Sequence, residues 1–155
     1  MQHKRTLAFI GAGNMSRSII AGLIQAGYPA GRIIAANPSR PKLDELADQF
    51  GIRITQNNAE AAREADVIVL AVKPQLMAAM LEALVAELGS LAGKLLISIA
   101  AGIKVERLQE MAGGHARIIR TMPNTPSLLG LGMTGLYAPT GIAQADRDFA
   151  EQMMK

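Results

Sequence analysis

A chain of 155 residues, half of them hydrophobic and 19% charged, can bury one sizeable core and lacks the composition of a disordered segment. Aromatics make up only 3%, and the apolar content is mostly Ala, Ile, Leu, Val and Met, which suits helices packed on a buried parallel sheet better than an antiparallel sandwich. The absence of cysteine excludes disulfides and thiolate chemistry, and the formal charge of +3 comes from dispersed basic residues without interleaved aromatics, which gives nucleic-acid binding no support.

The opening Met1-Gln2-His3-Lys4-Arg5-Thr6 runs straight into Leu7-Ala8-Phe9-Ile10, an apolar run too short and wrongly followed for a signal peptide, which reads as the first strand. Met15 to Ala26 follows with Ile19, Ile20, Leu23 and Ile24 at helical spacing, and Gly27 closes it as a C-cap. Residues 32–36 form a second short strand, stopped by Asn37-Pro38. Pro41 to Phe50 is helical, with Leu43, Leu46, Ala47 and Phe50 on one face. Ile52 to Thr55 alternates like a strand, and Asn58 reads as the N-cap of a short helix over Ala59 to Ala65. Asp66 to Val72 is the strongest strand, ended by Lys73-Pro74, and Met77 to Leu88 is the helix after it. Leu95 to Ile99 is a continuous apolar strand of the kind buried on both faces. Arg117 to Arg120 is a further strand, and Met122-Pro123-Asn124-Thr125-Pro126 a rigid loop. Gly132 to Ala138 and Ala143 to Lys155 read as a last strand and a last helix.

Strands alternating with helices predict an α/β fold with a doubly wound, mostly parallel sheet, as a single domain over residues 1–155. No apolar run approaches the roughly 20 residues needed to cross a bilayer. His3 and His115 are far apart and in no metal-ligand spacing, so no metal is expected. The expectation is a soluble cytoplasmic protein without a membrane or nucleic-acid partner.

The loop after the first strand carries the most specific chemistry. From Ile10, the run Gly11-Ala12-Gly13-Asn14-Met15-Ser16 has one glycine for the tight turn and a second where backbone must approach a pyrophosphate. The helix that follows directs free N–H groups and its positive dipole end at the anion. Ser16 stands at the third glycine of the fingerprint and is small enough for close helix–strand packing. A strand before, a helix after and a position at the start of the unit mark a Rossmann-type dinucleotide-binding domain.

The end of the second strand bears on which dinucleotide. An NAD site usually has an acid there to take the ribose 2′-OH. This chain has Asn37, then Ser39 and Arg40, which suit a 2′-phosphate. NADP(H) is therefore favoured, with NAD(H) as a weaker ligand; the alternative is that Ser39 only caps the helix and Arg40 is solvated. Three later loops leave the carboxyl ends of strands, where ligands of such sheets sit: Ala71-Val72-Lys73-Pro74, Ala100-Ala101-Gly102 and residues 122–126.

With Phe9 to Met15, Asn57-Asn58-Ala59-Glu60, Val69 to Gln75, Ser98 to Gly102 and Met122 to Pro126 in this order, the chain resembles pyrroline-5-carboxylate reductase, the family of the last step of proline biosynthesis. The resemblance implies that Gly11 to Ser16 hold the pyrophosphate and that Asn37, Ser39 and Arg40 surround the adenosine ribose phosphate. It implies further that Asn58 contacts the cofactor, that Ala71 to Pro74 and Ala100 to Gly102 flank the nicotinamide, and that Met122, Pro123, Asn124 and Thr125 face an imino-acid substrate. Ser16 departs from the alanine common in the family. No catalytic acid or base is assigned. The family is longer, and the resemblance implies a C-terminal helical domain outside these residues that forms a homodimer or larger homo-oligomer and completes the substrate site. The chain then reads as a truncated cofactor domain, inactive alone, and the presence of the sheet's last strand stays open. Two other functions remain open: another Rossmann reductase, such as a β-hydroxyacid dehydrogenase or imine reductase, and a non-catalytic NADP-binding module.

Overall fold

The computed structural model describes residues 5–91, 93–100, 102–113, 117–122, 135–137 and 144–153. In chain order the elements are β1 (Leu7–Ile10), α1 (Asn14–Gln25), a 3-10 turn (Ala30–Arg32), β2 (Ile33–Ala36), α2 (Arg40–Phe50), β3 (Arg53–Thr55), α3 (Asn58–Glu64), β4 (Val67–Leu70), α4 (Pro74–Leu88), β5 (Leu95–Ser98), α5 (Val105–Met111), β6 (Arg117–Met122), β7 (Gly135–Tyr137) and α6 (Gln144–Met153). The strands pair in the order β3-β2-β1-β4-β5-β6-β7. All pairs are parallel except β6 with β7. The first six strands follow the 3-2-1-4-5-6 order of the doubly wound nucleotide-binding sheet, so that order is complete within this chain.

Every residue of β1, β2, β4 and β5 is buried, because helices cover both faces of the sheet. Successive side chains go to opposite faces. Leu7 and Phe9 join Ile20, Leu23, Leu43, Leu46 and Phe149 in one core, under α1, α2 and α6. Ala8 and Ile10 join Ala61, Ala62, Met77, Leu81 and Leu108 in the other, under α3, α4 and α5.

Several boundaries differ from the sequence expectation, each for a local reason. Asn57, not Asn58, caps α3; its side chain accepts from the Glu60 N–H at 3.1 Å, and Asn58 is the first helical residue. Helix α4 starts at Pro74 instead of Met77, with proline at a position whose missing N–H costs nothing. The exposure of Leu76 hides that first turn from an apolar-pattern reading. Strand β4 stops at Leu70, since the Ala71 N–H makes one more bond, to the Ile10 carbonyl at 2.9 Å, and the chain then turns away. Met122 belongs to β6 and not to the loop after it. Helix α5 has no counterpart in the apolar pattern; it is two turns long and shows few buried positions, chiefly Leu108. The last strand and last helix lie within the ranges expected for them.

One buried charge ties α6 to the sheet. The Asp146 side chain is 2% exposed and pairs with Arg5, just before β1, and with Arg117, the first residue of β6. Arg5 also lies over the Phe149 ring, 4.9 Å from its centroid. Tyr28 meets the same ring edge-on and donates its hydroxyl to the Arg5 carbonyl. Burial pushes the Tyr28 phenol up to about 12, against the opposing pull of Arg32 and Arg5.

Asp146→Ala leaves two arginines facing each other; with Arg117 43% exposed, water compensates part of the loss. A destabilisation of about 2–3 kcal/mol is expected in chemical denaturation. For Tyr28 the native state holds its proton more tightly than the unfolded chain. The stability it contributes is therefore complete below its ordinary value of 10 and is lost as pH rises toward about 12. Tyr28→Phe should flatten the alkaline fall in melting temperature across that window.

Candidate dinucleotide site

The site lies at the carboxyl edge of the sheet, where β1 separates β2 and β4 and the chain reverses its direction of winding. Gly11 leaves β1 with φ +107°, and its N–H donates to the Ala36 carbonyl at 2.8 Å. A Cβ on Gly11 would stand 2.8 Å from the Ala71 carbonyl oxygen. Position 11 is thus reserved for glycine by the fold itself, through both its backbone angle and the strand packed beside it.

Gly13 is a different case. It is the N-cap of α1 with φ −81° and ψ −172°, a conformation open to any residue, and a Cβ there would meet nothing within 4 Å among the described residues. No side chain caps α1. Its first intrahelical bond runs from the Arg17 N–H to the Gly13 carbonyl at 3.0 Å, so the N–H groups of Asn14, Met15 and Ser16 have no intrahelical partner. Ala12 is buried, whereas Asn14 and Met15 are exposed at this helix start. Ser16 is fully buried, and its hydroxyl donates to the Gly11 carbonyl at 2.7 Å, closing the loop on itself. Composition alone gave no signal for that bond beyond the small size of the residue.

Beside this loop, Asn37 bridges two segments. Its Oδ1 accepts from the Ala12 N–H at 3.2 Å, and its Nδ2 donates to the Ser39 carbonyl and hydroxyl, each at 3.1 Å. Ser39 is the N-cap of α2, yet its hydroxyl makes no capping bond. Arg40, the first residue of α2, pairs with Asp44 at 2.8 Å with both side chains about half exposed. Such a pair holds its cation weakly. Gln56 braces the same turn by donating to the Pro38 carbonyl at 2.9 Å, a contact that sequence reading missed.

Asn58 is half-buried in the first turn of α3, which follows β3 on the Asn37 side of β1. The other expected residues leave β4 and β5, on the far side of β1. Ala71 and Val72 are half-buried at the end of β4, and Lys73 and Pro74 are exposed at the start of α4. Ala100 is buried, its N–H donating to the Ser98 hydroxyl at 3.3 Å, and Gly102 is exposed. Pro74, Gly102, Ile103, Lys104 and Arg107 line an open groove of about 500 Å³ between α4 and α5. Ala101, Pro123, Asn124, Thr125 and Pro126 lie outside the described residues, and Met122 is placed only as the last residue of β6.

Among the described residues, no three His, Cys, Asp or Glu side chains are grouped to hold a metal, and no helix is long and apolar enough to cross a membrane. The groups with displaced pKa values sit at the opposite, amino-terminal edge of the strands. Glu64 is held below the usual carboxylate range by its hydrogen bond from Arg53. Lys94 is lowered by burial, where its ammonium donates to the Ala65 carbonyl at the end of α3.

The sheet order, the glycine turn and the bare helix start are those of a Rossmann-type dinucleotide-binding domain. Residues 6–102 match the family model described as NADP oxidoreductase, coenzyme F420-dependent, and the chain belongs to that family. Within it, the similarity is to pyrroline-5-carboxylate reductases. The chain is 50% identical over 155 residues to the enzyme of that name from Vibrio alginolyticus, covering 100% of this chain and 56% of the relative. The structure of a pyrroline-5-carboxylate reductase from Coxiella burnetii superposes with a TM-score of 0.89 at 39% identity, over 97% of this chain and 55% of that one. The Plasmodium falciparum pyrroline carboxylate reductase with NADP bound gives 0.79 at 27% identity, over 99% and 55%. The chain thus spans about half the length of the relatives it matches.

The two loop glycines should respond oppositely to the same change. Gly11→Ala is expected to cost about 2 kcal/mol or more, since it combines a strained angle with a backbone clash. Gly13→Ala should leave thermal unfolding within about 1 kcal/mol of the parent or raise it slightly.

Proposed function

We propose that this chain is the cofactor-binding part of an NADPH-dependent reductase that converts 1-pyrroline-5-carboxylate to L-proline, the last step of proline biosynthesis. The observation that carries the reading is Gly13: nothing among the described residues requires glycine there, whereas a pyrophosphate laid across the start of α1 does. The residues present fit the group. Open space above Gly13 and the unpaired N–H groups of Asn14, Met15 and Ser16 form an anion cradle of the right polarity. The relatives' names support the substrate, and the NADP-bound relative supports the cofactor.

When bound, the nicotinamide supplies the hydride that reduces the C=N carbon. The chain's own work is then positional. Gly11 and Ser16 hold the phosphate loop in one conformation, so little order has to be bought when the dinucleotide binds. Ser39 and Arg40 receive the 2′-phosphate at the start of α2, where the helix dipole adds to the attraction. Ala12 belongs with the pyrophosphate loop, Asn37 lines the adenosine ribose phosphate and Asn58 contacts the cofactor. Ile10, fully buried at the end of β1, supports the loop from the core. Ala71 to Pro74 and Ala100 to Gly102 flank the nicotinamide, and Met122 to Thr125 face the imino acid. NAD(H) binds the same cradle less tightly. The reading also takes residues 1–155 as one NAD(P)-binding domain working with a helical substrate and dimerisation domain. It carries with it a homodimer or larger homo-oligomer and a cytoplasmic location.

Arg40→Ala is the decisive variant. Loss of a charge-assisted bond to phosphate should weaken NADPH binding by about ten- to a hundredfold. NADH binding should change by no more than about twofold, because it offers nothing for that guanidinium. Nucleotide fluorescence titration measures both, and equal losses would sink the assignment of the 2′-phosphate.

A further inference from the structure

Among the described residues, the large hydrophobic side chains left exposed are Met15, at 41%, and Leu76, at 54%. Each stands in the first turn of its helix, one turn ahead of a buried side chain on the same flank: Ile19 after Met15, and Met80 after Leu76. Helical side chains lean toward the helix start, so both reach out over the carboxyl edge of the sheet. One turn further along, the same direction buries a side chain; at the crevice it leaves one bare. For Met15 this exposure coincides with the unpaired N–H groups of α1 and the open space above Gly13. The other methionines whose side chains are described are better covered. Met77, Met80 and Met153 are buried, and Met111 is half-buried against the core under α3, α4 and α5. A thioether is open to oxidants in proportion to its exposure, so Met15 is the methionine set apart by the fold.

We propose that Met15 is an oxidation site built into the phosphate cradle: a peroxide converts its thioether to the sulfoxide, the sulfoxide weakens dinucleotide binding, and a bound dinucleotide shields the sulfur. This rests on the reading of the glycine loop as a dinucleotide site. In the oxidation a sulfur lone pair attacks one peroxide oxygen, and the O–O bond breaks as the S–O bond forms. Sulfur gives up two electrons, and the second oxygen leaves as water with both hydrogens. The product is a polar side chain whose oxygen carries partial negative charge and accepts hydrogen bonds. From the first turn of α1 it can take the N–H groups that a pyrophosphate needs, and it meets the phosphate with charge of the same sign. A thiol-dependent sulfoxide reductase reverses the change. The cradle is therefore vulnerable when empty and protected when occupied.

The test treats the whole chain with dilute hydrogen peroxide, with and without saturating NADP+, and follows each methionine by peptide mass spectrometry. Trypsin releases residues 6–17 with Met15 as their one methionine, and residues 108–117 with Met111 as theirs. Met15 should oxidise several times faster than Met111, and NADP+ should slow it. The oxidised chain should bind NADPH about tenfold more weakly, the loss of roughly one hydrogen bond to a charged group. Methionine sulfoxide reductases for both epimers should restore that affinity. Met15→Leu, measured against itself before and after peroxide, should lose none. A loss in treated Met15→Leu would assign the effect to another residue and overturn the proposal. Oxidation of Met15 no faster than Met111, or NADP+ that binds without slowing it, would overturn the proposal too and leave the dinucleotide reading standing. Failure of the untreated chain to bind either NADPH or NADP+ would overturn that reading, and this proposal with it.

Discussion

The closeness of three backbones at the exit of β1 is the constraint on which the site depends. Gly11 passes between the carbonyl of Ala36 on one side and that of Ala71 on the other, bonded to the first and packed against the second. A parallel sheet brings neighbouring strands to their carboxyl ends together, so the turns that leave them compete for the same space. A residue without a Cβ resolves that competition. It lets β1 end level with β2 and β4 and aims α1 so that its first turn faces outward over the sheet edge.

From that point the polar groups divide by edge. The amino-terminal edge carries paired charges whose work is to hold elements together: Asp146 with Arg5 and Arg117, Arg53 with Glu64, Lys94 on the end of α3. The carboxyl-terminal edge carries short polar side chains and backbone groups bonded mostly to one another. Ser16 closes onto Gly11, Asn37 spans Ala12 and Ser39, and Gln56 steadies Pro38. These neutral bonds fix geometry without neutralising the positive helix starts, and an anionic ligand needs both. The two apolar layers between the edges make this division rigid, because each strand residue of β1 is committed to one face or the other.

The likeness to pyrroline-5-carboxylate reductases extends across the whole chain, while the family model covers residues 6–102, from the start of β1 to the groove beside α5. That stretch contains the phosphate loop, the Asn37 turn and the first half of the nicotinamide side. The chemistry proposed for it demands alignment of two rings more than any acid or base, which suits a surface built from backbone and small side chains.

What the sequence by itself determined is everything governed by neighbours along the chain. The apolar runs of β1, β4 and β5, the helical spacing in α1 and α2, and the glycine turn between strand and helix could all be read there, because periodicity and backbone freedom are local properties. The Asn57 cap is of the same local kind, an N-x-x-E pattern before α3 that the neighbouring Asn58 obscures. Tertiary structure alone decided the rest. Whether Gly11 or Gly13 answers to the fold or to a ligand depends on what stands opposite each, and Ala71 is 60 residues from Gly11. The bridge made by Asn37 joins positions 12 and 39, and the arginines that meet at Asp146 come from positions 5 and 117. Helix α5 exists because Leu108 finds a core already formed by β6 and α4. Such contacts arise from the winding order of the sheet, and a linear pattern holds no record of which distant residue a turn will meet.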